Sequence, residues 1–200
     1  MKRRLVCLLL AAMLLLGLAC TAFAEAPASD GAQLFHITDA ALLLSSEEDM
    51  ALETYAEELE SRYGVGLYII TVDDSSDYYS SIEDASIGFY HDYMLGAGED
   101  RNGAVLVLSM NDRKCAEFFY GPKMEYAFDD YGQSQVEDSY LDNFRDDDWY
   151  GGFSDFLSSC DTLLQQAAQG TPVRESPWGM IALFAVISCV IALVVCLILK

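Results

Sequence analysis

The chain is poor in positive charge. Of its 200 residues, 11 are Lys or Arg against 32 Asp or Glu. Every acidic residue lies between Glu25 and Glu175. Only Arg62, Arg101, Arg113, Lys114, Lys123, Arg145 and Arg174 offset them there, seven positive against 32 negative, a net −25. Such a surface repels nucleic acid and anionic lipid headgroups, so no nucleic-acid partner is expected. Its natural counterparts are divalent cations and basic protein surfaces. A surface kept acidic for solubility alone has the same composition.

Histidine is nearly absent: the chain has His36 and His91. Neither stands near a Gly-x-Ser-x-Gly elbow or a reactive-cysteine pattern, and no catalytic signature is found. Cysteine is scarce where it would matter. Cys7 and Cys20 lie in the first apolar segment and Cys189 and Cys196 in the last. That leaves Cys115 and Cys160, which can form one disulfide outside the cell or remain two buried thiols. No zinc-ligand spacing is present.

Long apolar runs, by contrast, mark both ends. Met1-Lys2-Arg3-Arg4 is a basic n-region, 5–18 an apolar h-region, and Ala22-Phe23-Ala24 a small-x-small cleavage site. Residues 1–24 read as a secretory signal peptide, with an uncleaved anchor as the alternative. Gly17-Leu18-Ala19 before Cys20 is a poor lipobox, and Arg3-Arg4 lacks the rest of a twin-arginine pattern. Residues 178–199 are uncharged and apolar, about 22 residues. As a helix they span ~33 Å, enough to cross a bilayer core, with Trp178 at the interface. The expected protein is single-pass in the cell membrane, with residues 25–177 extracytoplasmic and Lys200 inside.

Between these ends, 25–33 reads as a flexible lead-in, 34–169 as one domain and 170–177 as a linker. The domain is organised around 98–123. There a polar loop runs into Ala104-Val105-Leu106-Val107-Leu108, an unbroken apolar run of the kind covered on both sheet faces. Asn111-Asp112 forms a turn, and 115–120 a second, antiparallel strand. Residues 34–38 suit a short edge strand, and 66–72 a buried one. Ser45 with Glu48, or Ser46 with Asp49, makes a capping box. The helix it opens carries Leu52, Tyr55, Ala56, Leu59 and Tyr63 on one face and closes at Gly64. A second helix starts near Ser81. A third is marked by Val136, Tyr140 and Phe144, and a fourth by the apolar spacing from Trp149 to Ala167. Asp146-Asp147-Asp148 between the last two reads as a solvated loop. The order β-α-β-α-β-β-α-α gives a three-layer α/β/α domain with a mixed, mostly parallel sheet, followed by the transmembrane helix.

Several pieces together resemble the TPM domain family, over roughly 34–165. They are Ile37-Thr38-Asp39-Ala40-Ala41-Leu42-Leu43 before a capped helix, and Leu59-Glu60-Ser61-Arg62-Tyr63-Gly64 closing it. Asp100-Arg101-Asn102-Gly103 enters Val105-Leu106-Val107-Leu108, and Arg113 and Gly121-Pro122-Lys123-Met124-Glu125 follow. The resemblance implies an exported, membrane-tethered α/β domain. Some relatives bind calcium, some are acid phosphatases, and some assist upkeep of membrane complexes.

With that resemblance, Glu99 and Asp100 before the central strand, Asp129 and Asp130 after its antiparallel neighbour, and Asp39 before the first helix become candidate Ca²⁺ ligands. Hard carboxylate oxygens from several loops suit that ion. Caps and turns use Asp as readily. Asp73-Asp74-Asp77 is a second candidate edge. Two functions follow: a calcium-binding assembly module tethered at the outer membrane face for a basic partner or membrane complex, or a weak metal-dependent acid phosphatase.

Overall fold

The computed structural model describes residues 34–175 and 184–188. The signal-peptide, lead-in and most of the 178–199 expectations lie outside those residues. Among the described residues no helix is long and apolar enough to cross a membrane.

Four strands form one sheet in the order β1-β2-β3-β4: β1 Ile37–Asp39, β2 Gly66–Val72, β3 Gly103–Ser109 and β4 Lys114–Tyr120. β1, β2 and β3 are mutually parallel, and β4 runs antiparallel to β3. Five helices surround it: α1 Ser46–Tyr63, α2 Ile82–Asp92, α3 Pro122–Ala127, α4 Asp130–Arg145 and α5 Trp149–Ala168. A 3-10 turn, Ser75–Asp77, follows β2.

The central strands read as unbroken apolar runs because both of their faces are covered. All seven residues of β2 and of β3 are buried. Leu67, Ile69, Leu106 and Leu108 join a core with residues of α1, α3, α4 and α5. Tyr68, Ile70, Val105 and Val107 join a second core on the other face, with Ile82, Ala85 and Phe89 of α2. The three expected layers are therefore present, with four helices on one side and one on the other.

Local signals set the helix ends. Of the two capping boxes the sequence offers before α1, the Ser45–Glu48 pair is formed, and Gly64 closes the helix in the left-handed region at φ 61°. Ser81 caps α2 through its side chain. Two expectations need correction. The first strand is Ile37–Asp39, not 34–38, because its ladder with β2 begins only at Ile37. And α3, which the sequence reading passed over as a connection, is a helix opened by Pro122 after Gly121. Six residues are too few to show an apolar period, yet Pro in the first turn is itself a start signal.

The Asp100-Arg101-Asn102-Gly103 segment holds the fold together. Arg101 turns inward, donating from Nη2 to the Tyr90 carbonyl at 2.6 Å and from Nε to the Leu95 carbonyl at 2.9 Å. The side-chain oxygen of Asn102, a buried residue, accepts from the Lys123 amide at 2.8 Å and so fixes the start of α3. Gly103 lies opposite Gly66 in the β2–β3 ladder, and a Cβ on it would fall 2.2 Å from the Gly66 carbonyl oxygen. The neighbour is backbone and cannot swing away. Gly103→Ala is therefore expected to cost about 1–3 kcal/mol by overpacking, read as a lower urea midpoint at unchanged slope.

Candidate functional site

The five expected calcium ligands do not come together. Asp39 ends β1 in register with Thr71, which is in register with Leu108 near the end of β3. Glu99 and Asp100 lie before the start of β3, in an exposed turn closed by the Ala97–Asn102 bridge. Five residues of strand separate the two levels, about 16 Å. Asp39 is tied down locally: its carboxylate accepts from the Leu44 amide at 2.8 Å and from the Thr71 hydroxyl. Asp129 and Asp130 are carried off by the intervening α3. Asp129 caps α4, accepting from the Gly132 amide at 2.9 Å, and pairs with Arg174 at 3.4 Å. Asp130 opens α4. Among the described residues no three His, Cys, Asp or Glu side chains are grouped to hold a metal ion. The set as a single coordination shell does not fit this fold.

The other acidic runs do similar local work. Asp74 caps the 3-10 turn and accepts from the Asn111 side chain at 2.7 Å. Asp148 caps α5, and Asp147 pairs with Arg113 at 2.5 Å. That pair, with the Arg113 guanidinium 5.2 Å from the Trp149 ring centroid, closes the loop between α4 and α5. Asp161 on α5 accepts from the Tyr63 hydroxyl at 2.6 Å and from Arg62 at 3.1 Å, both on α1.

A different group stands out, and the sequence reading missed it. A cavity of about 400 Å³ opens between the outer edge of β4 and α4, lined by Cys115, Glu117, Asp130, Glu137 and Tyr140, with Glu83 of α2 at its rim. Glu117 is the unusual member. The β4 residues alternate across the sheet. Cys115 and Phe119 pack on the larger core, and Ala116 and Phe118 on the smaller. Glu117 shares the phase of Cys115 and Phe119, where an apolar side chain belongs. Its Oε1 is buried with no hydrogen-bond partner. Burial, with a smaller push from the Glu137 charge, raises its carboxyl to about 8, against the pull of the Tyr140 hydroxyl beside it. A carboxyl in such a place is largely protonated at neutral pH. Burial likewise pushes the Tyr140 hydroxyl and the Cys115 thiol up.

Cys115 and Cys160 are both free thiols, which settles the choice the sequence left open. A second cavity of about 370 Å³ shares Cys115 with the first and continues the cleft toward Arg113, Leu141 and Trp149. The signal that could have found this region is one residue: a charge in the apolar phase of an otherwise apolar strand.

Comparison with known proteins bears on the whole domain. Its fold is similar to the solution NMR structure of the N-terminal domain of a protein from P. gingivalis, at TM-score 0.57 and 18% identity over 72% of this chain and 90% of that one. It is also similar to the N-terminal domain of the cg2496 protein from Corynebacterium glutamicum, at TM-score 0.51 and 12% identity over 64% and 78%. The BA42 protein from Bizionia argentinensis matches at TM-score 0.50 and 16% identity, over 66% and 86%. No curated protein matches. The TPM domain family matches residues 37–163, which run from the first residue of β1 to Leu163 in α5. The match takes in the whole sheet and the Asp100-Arg101-Asn102-Gly103 node, and the chain belongs to the TPM domain family.

Proposed function

We propose that this TPM domain is an extracytoplasmic, membrane-tethered binding module that receives a basic partner in the acidic cleft between β4 and α4. The observation that carries the reading is the Glu117 cavity: a largely protonated carboxyl with an unpartnered buried oxygen, ringed by Asp130, Glu137 and Glu83. A net −25 over the exported residues supplies the long-range attraction. The cavity supplies a place where that attraction becomes specific. The tether follows from the apolar run 178–199, and the outward orientation from the signal peptide.

Two measurements test it. The mature chain should begin near Glu25 and stay with membranes after a carbonate wash, and protease added outside the cell should remove the domain. Full protection overturns the orientation. A short lysine-containing peptide should bind the full chain more weakly when Asp130→Asn and Glu137→Gln are combined. Glu57→Gln with Glu58→Gln, exposed on α1, should have a smaller effect. Equal losses would mean that the peptide reads net charge and not the cleft.

Calcium enters this reading as charge compensation spread over many carboxylates. Asp49, for example, is pushed up first by burial and then by the charge of Asp39. Calcium chloride should raise the melting temperature more than sodium chloride at equal ionic strength, and Asp100→Asn should leave that difference intact. Loss of the difference in Asp100→Asn would instead locate a discrete ion at the 98–101 turn.

The acid phosphatase reading has one observation in its favour, since Glu117 is a proton donor beside a cavity. The surrounding carboxylates would repel a phosphate monoester, so this reading stands second. A phosphatase assay at acid pH, on wild type and Glu117→Gln, decides it.

A further inference from the structure

We propose that β4 accepts an extended segment of the basic partner as a fifth strand, with one Lys or Arg of that segment entering the cavity to meet Glu117. This rests on the reading of the cleft given above and names how the partner docks.

The first support is the sheet edge. β4 pairs with β3 along all seven of its residues, and it is an outermost strand. Among the described residues no backbone group bonds to its outer side. Every second residue of such a strand aims its N–H and C=O outward, a template for an added strand. Seven residues offer about 23 Å of it.

The second support is the trough. Side chains of α4 line both cavities that share Cys115 of β4, and the second also takes in Leu108 of β3 and Trp149 of α5. An extended peptide fits a floor made by a strand edge and a wall made by a helix. Its side chains would point alternately into the trough and away from it.

The third support is charge, and it fixes the occupant. One end of the trough carries Glu117, Asp130, Glu137 and Glu83, and none of the residues lining that cavity is basic. At the other end Arg113 and Arg145 are engaged by Asp147 and Asp142. A cationic side chain at the acidic end would give the Glu117 Oε1 the partner it lacks. An apolar peptide would leave it orphaned, and an acidic one would be repelled.

The same geometry has a chemical consequence. The titratable groups facing Glu117 are Cys115 on its own strand, Glu137 and Tyr140 on α4, and Cys160 on α5, with Asp130 and Glu83 also lining the cavity. None is a cation. A bound ammonium or guanidinium would be the first, and it favours the ionised carboxyl. Docking should then release a proton from Glu117 at neutral pH.

The test uses the full chain and a peptide as long as β4, seven residues, of alternating valine and threonine around a central lysine. Two controls replace the lysine by norleucine or carry N-methyl groups on alternate backbone nitrogens. The proposal expects the lysine peptide to bind, with at least tenfold loss for each control and for Glu117→Gln. It also expects the binding heat to differ between buffers of different ionisation enthalpy, and that difference to vanish in Glu117→Gln. Equal binding of the N-methylated peptide overturns strand addition and leaves the basic-partner reading standing. Failure of every lysine peptide, on wild type as on the variants, overturns both. If Glu117→Gln self-associates while wild type stays monomeric and binds no peptide, Glu117 guards the edge against pairing, and the proposal falls.

Discussion

Leu106→Asp yields no folded domain, and Leu106→Ala loses about 2–5 kcal/mol of stability. The reason is position. Leu106 sits in the middle of β3, wholly buried, in register with Ile69 on one side and Glu117 on the other. Its side chain faces the larger core, to which α1, α3, α4 and α5 all contribute. Truncation to Ala leaves a void where four helices meet the sheet, and those helices cannot all close on it. An Asp there would bring an unpaired charge into the same space, at a cost greater than the stability of a typical domain. The measurement is urea unfolding followed by circular dichroism. A Leu106→Ala midpoint within error of wild type would refute both the burial and the central place of β3. Val107→Ala is the companion variant. It faces the smaller core, covered by α2 alone, and its loss should be the lesser of the two.

That core was legible in the sequence, and the reason is physical. An apolar run with no alternation has one stable home in a small domain, a strand covered on both faces. Capping chemistry fixed the start of α1, since Ser45 and Glu48 satisfy each other's backbone amides. The direction of β1 was readable too. A strand joined to its neighbour through a helix runs parallel to it. Followed through, that rule places Asp39 at the far end of the sheet from Glu99 and Asp100. The metal expectation set Glu99 and Asp100 beside Asp129 and Asp130 through the antiparallel hairpin. The start of β3 does lie beside the end of β4, but the expectation added Asp39 without following the parallel rule. Of the aspartates it gathered, Asp129 is a helix cap, a common use of Asp at the start of a helix, and Asp39 is held by the Leu44 amide and the Thr71 hydroxyl. What the sequence could not give was the spacing between β4 and α4. That gap depends on how the short α3 turns the chain after Gly121, whose φ is 98°. No periodic pattern reports such a turn.

Glu117→Gln stabilises the domain, and the gain grows with pH. The carboxyl stands at about 8 in the folded protein against a reference of 4.5. The folded state therefore holds a proton that the unfolded chain gives up, and stability falls as pH rises between those two values. Below pH 4.5 wild type and variant should be alike, because Glu117 is protonated in both states. Above pH 8 the wild type buries a charge with no cation beside it, and the amide does not. At 1.36 kcal/mol per unit the full difference is roughly 3–5 kcal/mol, reached at pH 8 and above. At pH 6 it should be about half that. Other carboxylates titrate at the acid end in both proteins, so the quantity to follow is the difference between their melting temperatures from pH 4 to pH 9. A flat difference would mean that Glu117 is solvated or paired and that its cavity is not a low-dielectric site. A rising difference with the expected midpoints would establish that the domain sacrifices stability to keep a carboxyl at the sheet edge. Leu or Met at that position would be more stable still, being of similar volume and free of polar atoms. A residue that lowers stability where an apolar one would raise it is where function is expected, and here it faces a cleft lined by Glu83, Asp130 and Glu137.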